Sequence, residues 1–234
     1  MRRLTWQLMR LARRLTRRRF PLRVDVALPT VRLGSDYGGW DVHLAGLNAD
    51  SIIYSAGVGE DVSFDVELIE RLGARVHAFD PTPRSIEWAN RASLPEAFRL
   101  HEFGIAAADG QAAFHPPADK RHVSHTVLDI PGRPGQAVTL PVLRLSSIMA
   151  RLGHERVDLL KLDVEGAEYQ VIDDIVAAGL RPGQLLVEFH HRFPGVGLGR
   201  TRRAIRRLRN AGYRLFSVSA SAEEFGFVLG GGER

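Results

Sequence analysis

Residues 51–65, SIIYSAGVGEDVSFD, leave few folds open to this chain. A short apolar run (Ile52, Ile53, Tyr54) stops at small residues. Gly57 and Gly59 follow with one residue between them, and helix-compatible sequence resumes at Asp61. That is the pattern of a strand, a tight turn and a helix, with glycines where a ligand can approach bare backbone. A second apolar run, residues 75–80, ends in Asp80, 23 residues after Gly57. An acid at the tip of the second strand of such a unit commonly holds the ribose hydroxyls of a nucleotide-like cofactor.

The same alternation continues down the chain. Strands are expected at 51–56, 75–80, 98–105, 157–163 and 184–190, and helices at 61–72, 83–93, 145–152, 165–178 and 199–211. Repeated strand–helix units imply an α/β fold, a parallel sheet wound on both faces. Two strand-like runs at 213–220 and 223–229 predict an antiparallel hairpin that closes the sheet. Residues 109–140, rich in Gly, Pro and His, read as an insertion over the active-site edge, with an edge hairpin of 111–116 and 138–143. At 234 residues and 44% hydrophobic, the chain suffices for one such domain, expected over 24–234.

The turn itself narrows the cofactor. A dinucleotide fingerprint wants glycine where Val62 stands, and Glu60 and Asp61 sit where a pyrophosphate would lie. Two carboxylates there would repel a diphosphate. They suit S-adenosylmethionine, which has no phosphate and carries a sulfonium and an α-amino group.

Charge is unevenly distributed. Residues 1–23 hold nine arginines and no acid, which turns a net +5 for the whole into −4 for the remainder. The basic pI therefore belongs to an N-terminal arm, and no nucleic-acid surface is expected on the body. Within that arm Leu4, Leu8, Leu11 and Leu15 recur at helical spacing, which reads as an amphipathic helix. It has neither the ~18 apolar residues of a membrane span nor the apolar core of a secretory signal. A membrane surface or a partner protein is its expected contact, at the inner membrane face of the cytoplasm. Absence of cysteine excludes disulfides, thiolate metal sites and a cysteine nucleophile.

Candidate chemistry collects at the carboxyl ends of later strands. In residues 157–170, VDLLKLDVEGAEYQ, an apolar strand delivers Asp163 to its edge, Glu165 opens a helix and Glu168 follows as a structural residue. Ligands of open α/β sheets bind outside these strand ends. His190 and His191 end the fifth strand at the same edge, and His125 lies in the insertion. Tyr37 and Trp40 flank two glycines; they read equally as a ligand-lining pair or as an aromatic plug on the sheet. Asp163, Glu188 and His190 include the donor types of a divalent-cation site, but a metal-free site is the favoured reading.

The segments LKLDVEGAEYQVIDD, YSAGVGEDVSFD and HAFDPTP resemble those of FkbM-type methyltransferases and their methyltransferase-like relatives, and IAAADG and LLVEFHH fall in matching order over about residues 36–230. The resemblance implies a class I methyltransferase fold, a mostly parallel seven-stranded sheet of order 3-2-1-4-5-7-6, and S-adenosylmethionine-dependent methylation of a hydroxyl on a sugar, glycan or secondary metabolite. Carried across, Gly57 and Gly59 line the methionine end, Asp80 binds the ribose and Ile105 flanks the adenine. Asp163 and Glu165 lie near the sulfonium. Ser55 stands where many relatives place an acid, and Glu60 is expected to take the amino group instead. His190 is expected to be the general base, with Asp163 and Glu165 positioning the acceptor; Tyr37, Trp40, His125 and His191 are the substrate candidates. The competing readings are a nicotinamide-dependent oxidoreductase and a non-catalytic binding module of the same fold.

Overall fold

The structure is a computed structural model that describes residues 22–117, 125–128 and 135–230; the arginine-rich arm lies outside them. A two-stranded antiparallel sheet, β1 (Val31–Leu33) and β2 (Trp40–Val42), precedes the main fold. Then come β3 (Ile53–Ala56), α1 (Ser63–Leu72), β4 (Val76–Phe79), α2 (Pro83–Arg91) and β5 (Phe98–His101). After β6 (Gly104–Ile105), β7 (Gly110–Phe114) and β8 (Val138–Leu143), the alternation resumes with α3 (Leu145–Leu152), β9 (Leu159–Leu162) and α4 (Glu168–Ala177). The chain ends with β10 (Gln184–Glu188), α5 (Gly197–Asn210), β11 (Tyr213–Val218) and β12 (Glu224–Leu229).

The seven-stranded sheet runs β5-β4-β3-β9-β10-β12-β11, parallel except for β12, which is antiparallel to both neighbours. Counted within this sheet, the order is 3-2-1-4-5-7-6, the class I methyltransferase fold that the sequence resemblance implied. Strands buried on both faces read as apolar runs, and β3 and β9 have no exposed residue. Tyr54, Leu160 and Leu162 pack on the face covered by α3, α4 and α5 (Ile148, Ile172, Ile205). Ile53, Val76 and Leu159 pack on the other, against Phe64 and Leu68 of α1.

Two expectations change. The strand read at 98–105 is two strands: the chain bends after His101, burying Phe103 beside Phe79 and His101 at ring separations of 5.6 Å. Gly104 and Ile105 then leave the large sheet and pair in parallel with β8. The expected edge hairpin exists as β7 antiparallel to β8, but it belongs to a separate three-stranded sheet, β6-β8-β7. Glu165 does not begin α4, which starts at Glu168; Glu165 instead sits in a turn at φ 48. No helix among the described residues is long and apolar enough to cross a membrane.

Candidate functional site

The glycine turn is held from below and behind. Gly57 has φ +87, and a Cβ there would overlap the backbone carbonyl of Asp163. Glycine is required at 57 because the turn passes against the tip of β9, not only because a ligand approaches. Gly59, at φ +58, faces open space. Asp80 fixes the turn from the side: its Oδ2 accepts from the backbone N–H of Val58 (3.0 Å) and Gly59 (3.2 Å), and its Oδ1 from the N–H (2.9 Å) and hydroxyl (2.6 Å) of Thr82. Those four bonds fill the acceptor capacity of a carboxylate. Asp80, expected to receive a ribose, is thus an anchor of the turn, and a ribose hydroxyl can engage it only by displacing a bond such as that of Gly59.

Two further cofactor expectations are corrected. Glu60 forms a fork with Arg84, Oε1 to Nε at 2.7 Å and Oε2 to Nη2 at 3.1 Å, on the outer side of the turn. The guanidinium on α2 claims the carboxylate that was expected to take an amino group. Ser55 is buried and points to the α1 face of the sheet rather than into the cleft. There it belongs to a network that the sequence did not reveal. Lys161, paired across from Ser55, is 6% exposed, donates to the carbonyl of Gly57 at 3.0 Å and lies 5.3 Å from the Trp40 ring centroid. Asp65 of α1 is buried beside it; burial pushes its carboxyl up, against the pull of Lys161 and of the nearby Ser55 hydroxyl. A lone lysine inside an apolar strand was the available signal.

Above this turn a cleft runs along the carboxyl edge of the sheet. Gly57, Asp80, Pro81 and Thr82 form one wall, and Ile105, Phe114 and Val142, from the small sheet, form an apolar one. His125 and Val127 of the insertion close over it, and Asp163 and Glu165 form its far end. The insertion is pinned there: buried Thr126 pairs with His115 and its hydroxyl donates to the carbonyl of Glu165. Ile105 and His125 thus both line the cleft. Gly166, at φ +104, leaves room for Leu128, which a Cβ would strike.

At that far end the acids converge on one ring. His190 is fully buried; its Nε2 stands 3.4 Å from Glu165 Oε2, 3.7 Å from Asp163 Oδ1 and 3.7 Å from Glu188 Oε1. Its Nδ1 is 3.4 Å from Glu168 Oε2, and its backbone N–H donates to Glu168 Oε1 at 2.9 Å. Burial disfavours charge on the imidazole, but Glu168, Glu165 and Glu188 outweigh it and hold the pKa at about 10. The surrounding acids therefore favour positive charge at this ring, whether a proton on it or a cation beside it, which opposes the general-base role expected of an ordinary histidine. Glu188 shows the converse: burial and the nearby Asp163 push it up to about 8, against His190 and Arg192. Glu168 stays below its usual range despite burial, because His190 and backbone N–H groups favour the anion.

The aromatic pair divides. Trp40 is 5% exposed and packs with the α1-side core, as the plug reading required. Tyr37 is 75% exposed, on a loop stitched to the start of α1: Ser35 donates to Asp61 and accepts from the N–H groups of Tyr37 and Gly38. Its hydroxyl is pushed up by partial desolvation and then by Asp163, Glu165 and Glu188, so it faces the acidic end. His191 is buried beside Glu223 and Arg192, with its pKa lowered chiefly by burial, and is not part of the cleft lining.

Residues 52–215 match the family model described as the Methyltransferase FkbM domain. Two curated relatives, each a "probable methyltransferase-like protein 24", are similar over the central region. The Rattus norvegicus protein is 30% identical over 61% of this chain and 34% of its own length; the Homo sapiens protein is 31% identical over 63% and 35%. The chain thus spans about a third of the length of these relatives. Among solved structures, it is similar to the methyltransferase FkbM of Methylobacillus flagellatus KT, with a TM-score of 0.48 at 13% identity over 79% of this chain and 45% of the other. The Aeropyrum pernix fibrillarin solved with natively bound S-adenosyl-L-methionine gives a TM-score of 0.45 at 13% identity, over 88% of this chain and 83% of the other.

Proposed function

Because this chain belongs to the FkbM methyltransferase family, we propose that it transfers a methyl group from S-adenosylmethionine to a hydroxyl of a sugar, glycan or secondary metabolite. The observation that carries this reading is the polarity of the cleft: an apolar wall at Ile105 and Phe114 that suits an adenine, and a carboxylate end at Asp163 and Glu165 that suits a sulfonium. No lysine or arginine is among the described cleft-lining residues to receive a diphosphate, which disfavours a dinucleotide. The methionine end would lie over Gly59, whose outer face is open.

Transfer is an in-line displacement: the acceptor oxygen attacks the methyl carbon, the carbon–sulfur bond breaks and the hydroxyl proton leaves. Alignment of the two substrates supplies most of the acceleration, on the order of 7–11 kcal/mol in favourable cases. The proton would go to Glu188, whose carboxyl burial and the nearby Asp163 push up to about 8, and Tyr37 would meet the acceptor at the mouth. Calorimetry with S-adenosylhomocysteine and with NAD tests the reading. Binding of the first and not the second is the expected result; the reverse would replace methyl transfer by hydride transfer, and binding without turnover on a panel of hydroxyl acceptors would favour a non-catalytic module.

A further inference from the structure

The ring at the acidic end has a geometry that methyl transfer alone does not explain. His190 is fully buried, and its Nε2 has no hydrogen-bond partner among the described residues. The three carboxylate oxygens around that nitrogen stand at 3.4 to 3.7 Å, outside hydrogen-bond range. One atom each from Asp163, Glu165 and His190 lie within 4.8 Å of one another. Tetrahedral neighbours around an ion bound at about 2.0–2.2 Å stand about 3.4 Å apart, and opposite ligands of an octahedron about 4.2 Å. The 3.4 and 3.7 Å from His190 Nε2 to Glu165 and Asp163 fall in the range between adjacent and opposite ligands of such an ion.

The other side of the ring supports the same conclusion. Metal-binding histidines characteristically turn their second nitrogen to a carboxylate, which fixes the ring. Here Nδ1 faces Glu168, which is fully buried and itself held by the N–H groups of Gly166 and His190. Glu165 reaches the cluster from a left-handed backbone conformation rare for its type, with its carbonyl clamped by Thr126. Non-glycine residues in that region persist where the surroundings enforce them, commonly at ligand sites.

We propose that Asp163, Glu165 and His190 bind one divalent first-row metal ion, of the Mn²⁺ or Zn²⁺ kind, with Glu168 as the residue that positions His190. One imidazole with two carboxylates is a mixed donor set that favours these ions over Mg²⁺ or Ca²⁺, which take oxygen. Its role rests on the methyltransferase reading above: the ion would polarise the acceptor hydroxyl, whose proton leaves to water as the oxygen–carbon bond forms and the carbon–sulfur bond breaks. The ion site itself does not depend on that reading.

The test uses the full chain, stripped with chelator and dialysed, and titrated with Mn²⁺ under electron paramagnetic resonance. One ion per chain is expected, displaced by Zn²⁺ but not by an equal concentration of Mg²⁺. Glu165→Gln, at a partly exposed side chain, should weaken binding about tenfold or more, and Glu168→Gln likewise through the ring, with thermal melts confirming that both fold. No uptake by the wild type at about millimolar Mn²⁺, or unchanged affinity in Glu165→Gln and Asp163→Asn, would overturn the site and leave the acids as complements of a sulfonium. S-adenosylhomocysteine calorimetry on the same samples keeps the two ideas apart. Ion uptake without cofactor binding would sustain the site and remove the methyltransferase reading, whereas cofactor binding without ion uptake would do the reverse.

Discussion

At the scale of single residues, the two glycines of the turn carry different burdens. Gly57→Ala forces a methyl group into the carbonyl of Asp163 and should abolish S-adenosylhomocysteine binding along with much of the fold. Gly59→Ala meets nothing and should cost only the left-handed backbone strain, about 1–2 kcal/mol, read by urea denaturation. Glu188→Gln removes the proposed proton acceptor; kcat should fall ~10²–10⁴-fold while calorimetric cofactor affinity stays near wild type. The sequence made the positions legible here but not their roles. Asp163, Glu165 and His190 could be placed at one edge because strand ends are readable from apolar runs. That acids surround His190 was not readable, because the carboxylates come from three separate elements. Likewise Asp80 was visible as an acid at a strand tip, but not that the turn it faces fills its acceptor sites.

Elements carry their own tests. On the α1 side of β9, Lys161 and Asp65 are a cation and a carboxylate, both nearly inaccessible, beneath the glycine turn. Removing the cation leaves a buried carboxyl without its compensating charge: Lys161→Met should destabilise the fold, and Asp65→Asn added to it should recover much of the loss in chemical denaturation. On the opposite face, β4 and β5 bring His77 Nδ1 within 3.0 Å of His101 Nε2, and Tyr54 donates or accepts at 2.7 Å from His154. Burial first, then the neighbouring His101 and His154 and the cations Arg75 and Arg99, lower His77 to about 4. The unfolded chain takes up that proton near pH ~6.5 and the folded chain only near 4. Stability is therefore complete above the unfolded value and declines as pH falls from there. Calorimetric Tm should drop between pH 7.5 and 5, and His77→Gln should flatten the slope. Apolar runs and turn residues made most elements legible. The strand at 98–105 misled because Phe103 continues an apolar pattern while packing against Phe79 after a bend, and a linear pattern does not record a bend.

For the molecule as a whole, the arginine-rich arm and the catalytic body are expected to separate cleanly. The arm lies outside the described residues, and its proposed contact rests on sequence: basic residues near an anionic membrane contribute roughly 1 kcal/mol each. Full-length protein should sediment with anionic vesicles, and a version starting at Leu22 should stay in solution while still binding S-adenosylhomocysteine; equal sedimentation would remove the membrane from the account. Sheet order was legible in advance through the family resemblance, whereas the alternation of strands and helices alone implied only a parallel sheet wound on both faces. Of the small sheet only the hairpin was legible, since β6 is two residues long and was hidden in the run read as one strand at 98–105. That sheet supplies Ile105, Phe114 and Val142 to the cleft, yet it shares no ladder with the seven main strands. Selection can therefore rewrite it without unpicking the core. A graft of residues 109–140 from a relative that modifies another acceptor should transplant the preference and keep the melting temperature, making this protein a chassis with a replaceable front end.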